Sequence, residues 1–345
     1  MKNKKKIGLI IGSLLTLALL VTACGASAKS NTQTGDSANK DGELKTVKIG
    51  ATSATAQLSE NALLAQNLGY FDDELKKVGY KAEYVGFAQA GPAVNEAFAA
   101  GEIDYAIYAD FAAIAAKSNK IDIKVVGLAN QQMNYALLAT QKSGIASWKD
   151  IEGKKLIVPT GTILYKYFTD ECKKNGVNPQ KVEQINSLSD AQTLLASGDA
   201  DALVTAYGGA LLYEGAGLGK VVDNSTDDLD EASGLVIAGR TKYIDENPKV
   251  AEALIKALNR SAEYIKGNKE SAYEKMKTDA TSVEMLEKVY SYDESFSYFS
   301  PAITDEYLDR AKSVYEFEKD NKLLGSEFEL TDLYDNSYAE KIVNQ

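Results

Sequence analysis

The chain contains no histidine in 345 residues, and this absence removes several kinds of active site. Histidine is the commonest general base, a member of most nucleophilic triads and a usual ligand of catalytic zinc. Cys172 therefore has no histidine to activate it as a nucleophile. A phosphate-binding loop ending in Gly-Lys-Ser or Gly-Lys-Thr is missing as well. The composition predicts a protein that is not an enzyme and that has no cofactor or metal, although a hydrolase using carboxylates alone stays formally open.

Positive charge is also scarce. The arginines are Arg240, Arg260 and Arg310, and 38 basic residues stand against 49 acidic ones, which gives a net charge of −11. So acidic a chain does not suit nucleic acid, whose binding depends on neutralising phosphates. None of the arginines lies in a predicted binding turn. If the protein binds an anion, we therefore expect backbone N–H groups and hydroxyls to hold it.

The first 24 residues have the organisation of an export signal. Lysines at positions 2, 4, 5 and 6 precede a mainly apolar run from Ile7 to Leu20, which is short for a membrane span. The ending Val21-Thr22-Ala23-Cys24 resembles the lipobox of bacterial lipoproteins. We predict a lipoprotein signal peptide at 1–23 and a lipidated Cys24 that anchors an extracytoplasmic protein to the cell membrane. An ordinary cleaved signal peptide and an uncleaved anchor are the alternatives.

A polar segment follows the lipidation site. Residues 24–44 are mainly Ser, Thr, Asn, Gly, Lys and Asp, so we predict a disordered tether. Removing residues 1–23 takes away four lysines and no acid, so the net charge falls from −11 to −15. Only Cys172 then remains unmodified, which excludes an intrachain disulfide. The folded body is expected from Lys45, and its length of about 300 residues suits two lobes with separate cores.

Apolar periodicity predicts alternating strands and helices in the first part of this body. The predicted strands are 47–51, 81–87 and 105–108, and the predicted helices are 57–68 and 93–100. Such an order is typical of a parallel sheet covered by helices.

The same order then recurs. The segment 99–107 (AAGEIDYAI) is echoed by 196–204 (ASGDADALV), and in both a glycine suited to a left-handed helix cap precedes a turn aspartate and a strand. Upstream, a strand and a polar turn match in the two copies, 49–55 and 155–162. Two similar lobes would follow, although a helix, a glycine and an aspartate before a strand are common enough to coincide.

Strand candidates between and after the two copies predict a hinge. They are 123–129 and 135–140, separated by the polar residues 130–134, and 234–239, which would carry the chain back. We predict lobe I at 45–130 and 236–345 and lobe II at 131–235. From Asn247 onward the pattern predicts helices, with Pro248 near the start of one and apolar residues on one side.

Two segments carry a resemblance to a known family. They are 87–98 (FAQAGPAVNEAF), which leads into Gly101-Glu102-Ile103-Asp104 and Ala109-Asp110-Phe111, and 150–155 (DIEGKK), which opens the second lobe. The chain resembles the alkanesulfonate, taurine and nitrate group of ABC-transporter solute-binding proteins over most of residues 45–270. The resemblance implies an α/β, type II periplasmic-binding-protein fold, a small-molecule ligand between the lobes, and delivery to ABC permease subunits in the membrane. A monomer is expected.

Polar turns at the carboxyl ends of parallel strands are the predicted ligand-binding elements. Free backbone N–H groups and the helix dipole favour an anion there, such as a sulfonate or carboxylate. The turns are Ser53-Ala54-Thr55, Ala90-Gly91-Pro92 and Thr160-Gly161-Thr162. The alternative is that these hydroxyls only cap their helices and that Pro92 is only a preferred first helical residue.

Further candidates lie beside these turns. Asp110 either caps the next helix or receives a ligand amine, which would suit a zwitterion such as taurine. We also predict Phe111, Asn134, Tyr207 and Gly208 as binding residues. The aromatic residues Tyr108, Phe111, Tyr165 and Tyr207 could instead stack on a thiamine pyrimidine precursor or a flavin-like ring. A sensor or adhesin that uses the same cleft without transport is a third possibility.

Overall fold

A computed structural model describes residues 43–228 and 233–344. The predicted signal peptide, Cys24 and nearly all of the tether lie outside the described residues. The strands are β1 (Lys45–Ala51), β2 (Tyr80–Gly86), β3 (Tyr105–Ala109), β4 (Ile123–Met133), β5 (Tyr135–Ala139), β6 (Lys155–Ile157), β7 (Glu183–Ile185), β8 (Ala202–Ala206), β9 (Lys220–Asn224) and β10 (Ser233–Arg240).

Helices follow most of these strands. They are α1 (Glu60–Asn67), α2 (Tyr70–Lys77), α3 (Ala90–Ala100), α4 (Asp110–Ser118), α5 (Ile163–Asn175), α6 (Ala191–Ser197), α7 (Tyr207–Gly215), α8 (Thr241–Glu246), α9 (Pro248–Gly267), α10 (Lys269–Met276), α11 (Val283–Tyr290), α12 (Asp305–Asp320) and α13 (Ser337–Val343). None of the helices in the described ranges is long and apolar enough to cross a membrane.

Two mixed sheets of five strands share one plan. The orders are β2-β1-β3-β10-β4 and β7-β6-β8-β5-β9. In each sheet three strands pair in parallel, and the fourth strand pairs antiparallel to its two neighbours. In the first sheet the fourth strand is β10, which follows the second copy, whereas in the second sheet it is β5, which directly precedes that copy. The prediction of a two-lobed α/β fold with a helical C-terminal region is confirmed.

The register brings the carboxyl ends of the two sheets together. Met133, at the end of β4, pairs with Ser233, while Tyr135, at the start of β5, pairs with Ala206 at the end of β8. Asn134 alone separates β4 from β5, so it joins the two carboxyl edges. The return crossing runs between Asn224 and Ser233. The predicted lobe boundaries fall at 130/131 and 235/236, within a few residues of these changes of sheet.

The prediction that residues 130–134 form a polar connector was wrong, because β4 continues to Met133. Asn130 and Gln132 are buried, and β10 pairs with this stretch. Asn130 Oδ1 accepts a hydrogen bond from the Gln132 N–H at 2.8 Å, so the polar side chains find partners inside the strand. Polarity marked these residues as loop, whereas pairing with β10 keeps them extended.

The C-terminal helices complete the core of the first lobe. Pro248 opens α9, whose apolar side packs beneath the first sheet with Val250, Leu254, Ile255 and Leu258 fully buried. Aromatic residues of α10 and of the segment after it cluster with Leu63 and Leu64 of α1; the cluster includes Tyr273, Tyr290, Phe296, Tyr298 and Phe299. Cys172 is fully buried on α5, and burial raises the pKa of its thiol to about 12.

Candidate functional site

The candidate site consists of the turns and helix starts at the carboxyl edges of both sheets. Ser53–Thr55 follows β1, and Asp110 begins α4 directly after β3. In the second sheet Thr160–Thr162 follows β6, and Tyr207 begins α7 directly after β8. The fold thus places the predicted turns of each lobe along one edge, and the crossing at Asn134 joins the two edges.

Close packing fixes the turns of the first lobe. A Cβ atom added at Gly86 would lie 2.5 Å from the Ser53 carbonyl oxygen, so glycine lets the β1 turn rest on the end of β2. Gly91 plays the same part at the start of α3, where an added Cβ would lie 2.6 Å from the Cβ of Ala112 in α4. Ala54, Thr55, Ala90 and Pro92 are exposed at this edge.

The β1 turn holds two hydroxyls against each other. Ser53 Oγ and Thr55 Oγ1 are 2.9 Å apart, and the Thr55 N–H donates to Ser53 Oγ at 3.3 Å. Ala56 and Glu60 adopt φ values of 58° and 57°, and Ala90 adopts 54°. Such left-handed backbone costs about 1–3 kcal/mol at a residue other than glycine and tends to persist where function requires it.

The turn before α5 is organised around its own backbone. Asn186 Oδ1 accepts from the Thr160 N–H at 3.1 Å, and Thr162 Oγ1 donates to the Pro159 carbonyl at 2.6 Å. Gly161 supplies a φ of +71° between the two threonines. Thr162 occupies the N-cap position but its side chain forms no cap hydrogen bond. The Tyr165 N–H donates to the Thr162 carbonyl at 3.0 Å. The N–H groups of Ile163 and Leu164 have no acceptor among the described residues and keep their capacity to donate.

Helix starts at the candidate site share this lack of a side-chain cap. In the described part of the chain α1, α3, α4, α5 and α7 have none, as do several helices elsewhere. What distinguishes α1 and α5 is that Ser59 and Thr162 stand at the N-cap with extended backbone and still do not cap. The interpretation of Thr162 as an ordinary cap therefore does not fit its geometry.

Asp110 is fully buried, and three protein groups donate to its carboxylate. The N–H groups of Phe111 and Gly234 do so at 2.7 Å each, and the Tyr307 hydroxyl does so at 3.1 Å. Desolvation nevertheless raises the pKa of Asp110 to about 6. Its contacts tie the start of α4 to β10 and α12.

The two crossings are fastened to each other at the same edge. The Tyr207 N–H donates to the Asn134 carbonyl at 2.8 Å, which links the start of α7 to the first crossing. The Tyr135 N–H donates to Ser225 Oγ at 2.9 Å, and the Tyr135 hydroxyl is hydrogen-bonded to Ser233. Asn134 itself is almost fully buried, so its backbone forms part of the hinge.

The predicted aromatic residues differ in accessibility. Tyr108 and Phe111 are buried in the core. Tyr165 is partly buried and packs on Phe168, with ring centroids 6.3 Å apart. Tyr207 is also partly exposed, at the start of α7 and beside the flexible pair Gly208-Gly209. Tyr165 and Tyr207 are thus the two of the four that keep part of their surface accessible, and Tyr207 also packs against the core of the second lobe.

Sequence reasoning missed an acidic residue at this edge. Glu60 opens α1 and accepts hydrogen bonds from Tyr290 and from Asn130. The only available signal was its place shortly after the β1 turn, since Tyr290 lies 230 positions away in the chain.

Arg310 was also excluded from the predictions, yet it lies beside the crossings. It donates to the Gln131 carbonyl at 3.1 Å and lines a cavity of about 540 Å³. Residues of both crossings line the same cavity, including Gln132 and Thr226, but none of the predicted turn residues does so among its described lining.

Chemically, the candidate site offers neutral donors from two lobes and two carboxylates, those of Glu60 and of the buried Asp110. Uncapped helix starts and short hydroxyls suit an anionic group, because the helix dipoles and free N–H groups point toward it. No group of three or more Asp, Glu and Cys residues that could hold a metal ion occurs in the described ranges. The arrangement favours reversible binding of a small polar molecule.

Comparisons with known proteins bear on the family and the fold. A family model described as NMT1/THI5 like matches residues 59–272. A Bacillus subtilis (strain 168) protein described as aliphatic sulfonates-binding is 25% identical over 354 residues, covering 99% of this chain and 98% of its own. The structure of a periplasmic sulfonate-binding protein from Methylobacillus flagellatus KT has a TM-score of 0.74 at 22% identity, covering 88% and 96%. The desulfurization enzyme DSZB has a TM-score of 0.69 at 12% identity, covering 87% and 99%.

Proposed function

Because the chain belongs to the NMT1/THI5-like family, we propose that it is the extracytoplasmic solute-binding component of an ABC importer. It binds a small sulfonate-type anion or zwitterion in the cleft between its lobes. Lipidated Cys24 anchors it to the cell membrane, and it acts as a monomer that delivers its ligand to permease subunits. The two most similar relatives described above are both named for sulfonate binding, which supports this ligand class.

The observation that carries the proposal is the pair of uncapped helix starts on opposite lobes. Ser59 precedes α1 and Thr162 precedes α5, and neither side chain satisfies the N–H groups of its helix. An anion between the lobes would accept from these groups without any arginine. The proposed binding residues are Ser53, Ala54, Thr55, Ala90, Gly91, Pro92, Thr160, Gly161, Thr162, Tyr207 and Gly208, with Asp110, Phe111 and Asn134 behind them.

Contacts from both lobes couple binding to closure. A ligand that touches the β1 turn and the α5 start at once stabilises the closed arrangement more than the open one, so the closed population grows. The permease then recognises the closed shape. The hydrogen bonds between Tyr135 and Ser225 keep the two crossings together during this motion.

A thermal-shift screen tests the ligand class. We expect one or more alkanesulfonates or taurine to raise the melting temperature, because a ligand that binds only the folded state stabilises it. Nitrate, thiamine pyrimidines and flavins form the other arms. A clear shift with a heterocycle and none with any sulfonate would contradict the sulfonate assignment.

A heterocycle is the second candidate ligand, and the partly exposed ring of Tyr207 favours it. Stacking on this ring would require Tyr207, so Tyr207→Ala would abolish binding of a flat ring and weaken binding of a sulfonate only slightly.

A sensor that binds the same ligand without transport is the third candidate, and an uptake assay distinguishes it. If the protein were a sensor, loss of its gene would leave ligand uptake unchanged.

Binding without catalysis is the remaining part of the proposal. DSZB is a desulfurization enzyme with the same fold, so the fold alone does not decide between binder and enzyme. The lack of histidine supports a binder. Incubation with a bound alkanesulfonate should return it intact, and release of sulfite would contradict this.

A further inference from the structure

A partly buried carboxylate lies where three elements of the candidate site meet. Glu60 is the first residue of α1. Its Oε2 accepts from the Tyr290 hydroxyl at the end of α11 and from Asn130 Nδ2 of β4, the latter at 3.3 Å. Its Oε1 accepts no hydrogen bond from any residue in 43–228 or 233–344. One oxygen is thus held in place by protein donors while the other stays open to a further donor.

Helix α11 connects this carboxylate to the second lobe. Val289 precedes Tyr290, and a Cβ atom added at Gly208 would lie 3.6 Å from Val289 Cγ2. The segment that donates to Glu60 therefore touches the α7 start that we assign to the ligand. Glu60 stands on the lobe I side of the same space, close to the first crossing through Asn130.

The surroundings of Glu60 supply no positive charge. Its two donors are a phenol and an amide, and it takes part in no ion pair within the described ranges. The titratable groups around it are the tyrosines Tyr290, Tyr292, Tyr298 and Tyr135, on the segment after α10 and on the first crossing. Desolvation accordingly raises the pKa of Glu60.

A purely structural role accounts for only part of this arrangement. An acidic residue in the first turn is favourable for the helix dipole whether it is exposed or not. It gains nothing from being desolvated, and the φ of +57° at Glu60 adds backbone strain. A cationic partner supplied from outside the chain would offset both costs.

We propose that Glu60 is a specificity-determining residue that accepts a hydrogen bond from a cationic nitrogen of the ligand. The preferred ligand then carries an ammonium group in addition to its anionic group, with the anion at the helix starts and the ammonium at Glu60 Oε1. This inference rests on the proposed function, since it concerns the same ligand in the same cleft. It assigns to Glu60 the role that the sequence suggested for Asp110, whose oxygens are occupied by protein donors.

A matched pair of ligands tests the proposal by titration calorimetry. The ligands are 2-aminoethanesulfonate and ethanesulfonate, which differ by the ammonium group. The wild-type protein should bind the aminated ligand at least about tenfold more tightly, the size expected of one charge-assisted hydrogen bond. Glu60→Gln should bring the ratio close to one, because the loss falls on the aminated ligand.

Tyr290→Phe is the second variant. It removes a donor to Glu60 but keeps the carboxylate, so the preference for the aminated ligand should persist or increase. If Glu60 serves only to hold α1 in place, Glu60→Gln and Tyr290→Phe would weaken both ligands alike, and this result would overturn the proposal. The wild-type preference needs no variant, so a folding defect in either one does not remove the test.

The outcomes separate this inference from the proposed function. Equal affinities of the wild-type protein for the two ligands would leave the sulfonate receptor standing and overturn the role of Glu60. Failure of the wild-type protein to bind any sulfonate would overturn the proposed function, and the inference would fall with it.

Discussion

Two threonines occupy the same structural position in two regions and are used differently. Thr162 precedes α5 at the candidate site, and Thr304 precedes α12 in the C-terminal region, both with extended backbone. Thr304 Oγ1 accepts from the Tyr307 N–H at 3.1 Å, whereas Thr162 Oγ1 donates to the Pro159 carbonyl. Helix α12 thus has a side-chain cap at its N-terminus, whereas α5 at the candidate site has none. The same residue type caps a helix in one place, and in the other it leaves the helix uncapped at the site where we propose that the ligand binds.

The largest expected effect concerns Glu318 in α12, which should change the stability of the protein and not its ligand binding. Glu318 is fully buried with no partner for either carboxylate oxygen in the described structure, and desolvation raises its pKa to about 9. A raised pKa gives stability that is present below the unfolded value and lost as pH rises toward the folded value. Between pH 6 and pH 8 this group should cost the protein about 3 kcal/mol of unfolding free energy.

Denaturant titrations at pH 6 and pH 8 measure this effect. Glu318→Gln should remove most of the loss, and Glu316→Gln, an exposed change on the same helix, should leave it in place. Ligand affinity should be unaltered in both variants. An equal pH dependence in the wild-type protein and Glu318→Gln would show that the carboxyl group is ionised or solvated in the fold.

The double change Thr160→Val and Thr162→Val should affect binding alone. Thr160→Val removes a hydroxyl donor from the proposed anion site, and Thr162→Val removes the hydrogen bond to the Pro159 carbonyl that shapes the turn. Ligand binding should weaken by about tenfold to a hundredfold, because a hydrogen bond to a charged group is worth more than a neutral one. The melting temperature without ligand should change little. Unchanged affinity would show that the anion does not lie at the α5 start.

At the capped helix α12, Thr304→Ala should lower stability and leave ligand binding unchanged. Losing this cap should lower the unfolding free energy by about 1 kcal/mol, the usual value for an N-cap threonine. Affinity for the ligand should stay within error of the wild type. A loss of affinity comparable to that of the double valine variant would break the distinction between the two regions.

Ser53→Ala is the smallest expected change. Ser53 Oγ faces Thr55 Oγ1 in the β1 turn, so its removal leaves one hydroxyl of the pair. We expect binding to weaken about threefold, the effect of a single neutral hydrogen bond, with no change in stability. A larger loss than in the double valine variant would move the main anion contact from α5 to the β1 turn.

Much of the fold follows from local sequence pattern. The strands around Val47, Tyr105 and Lys155 were predicted because apolar alternation, glycine caps and turn aspartates act over a few residues. The two copies then imply two sheets, and parallel pairing implies where their turns meet. The predicted binding turns rest on this reasoning, since it needs no knowledge of distant contacts.

The remaining features depend on contacts that no local pattern contains. Asn130 and Gln132 read as loop because their burial depends on pairing with β10, about a hundred residues later. The Glu60 carboxylate accepts a hydrogen bond from Tyr290 of α11, which lies 230 positions later in the chain. The Thr162 side chain can either cap α5 or donate to the Pro159 carbonyl, and it does the second. The sequence of the turn is the same in both cases, so it does not predict which bond forms.

The late position of β10 in the chain bears on how the first lobe forms. The first sheet lacks β10 until residue 240 has been synthesised, and β4 has no strand beside it before then. Long-range pairing of this kind slows folding. The first sheet is therefore completed only after the second, whose strands β5 to β9 lie within residues 135–224 and pair without β10.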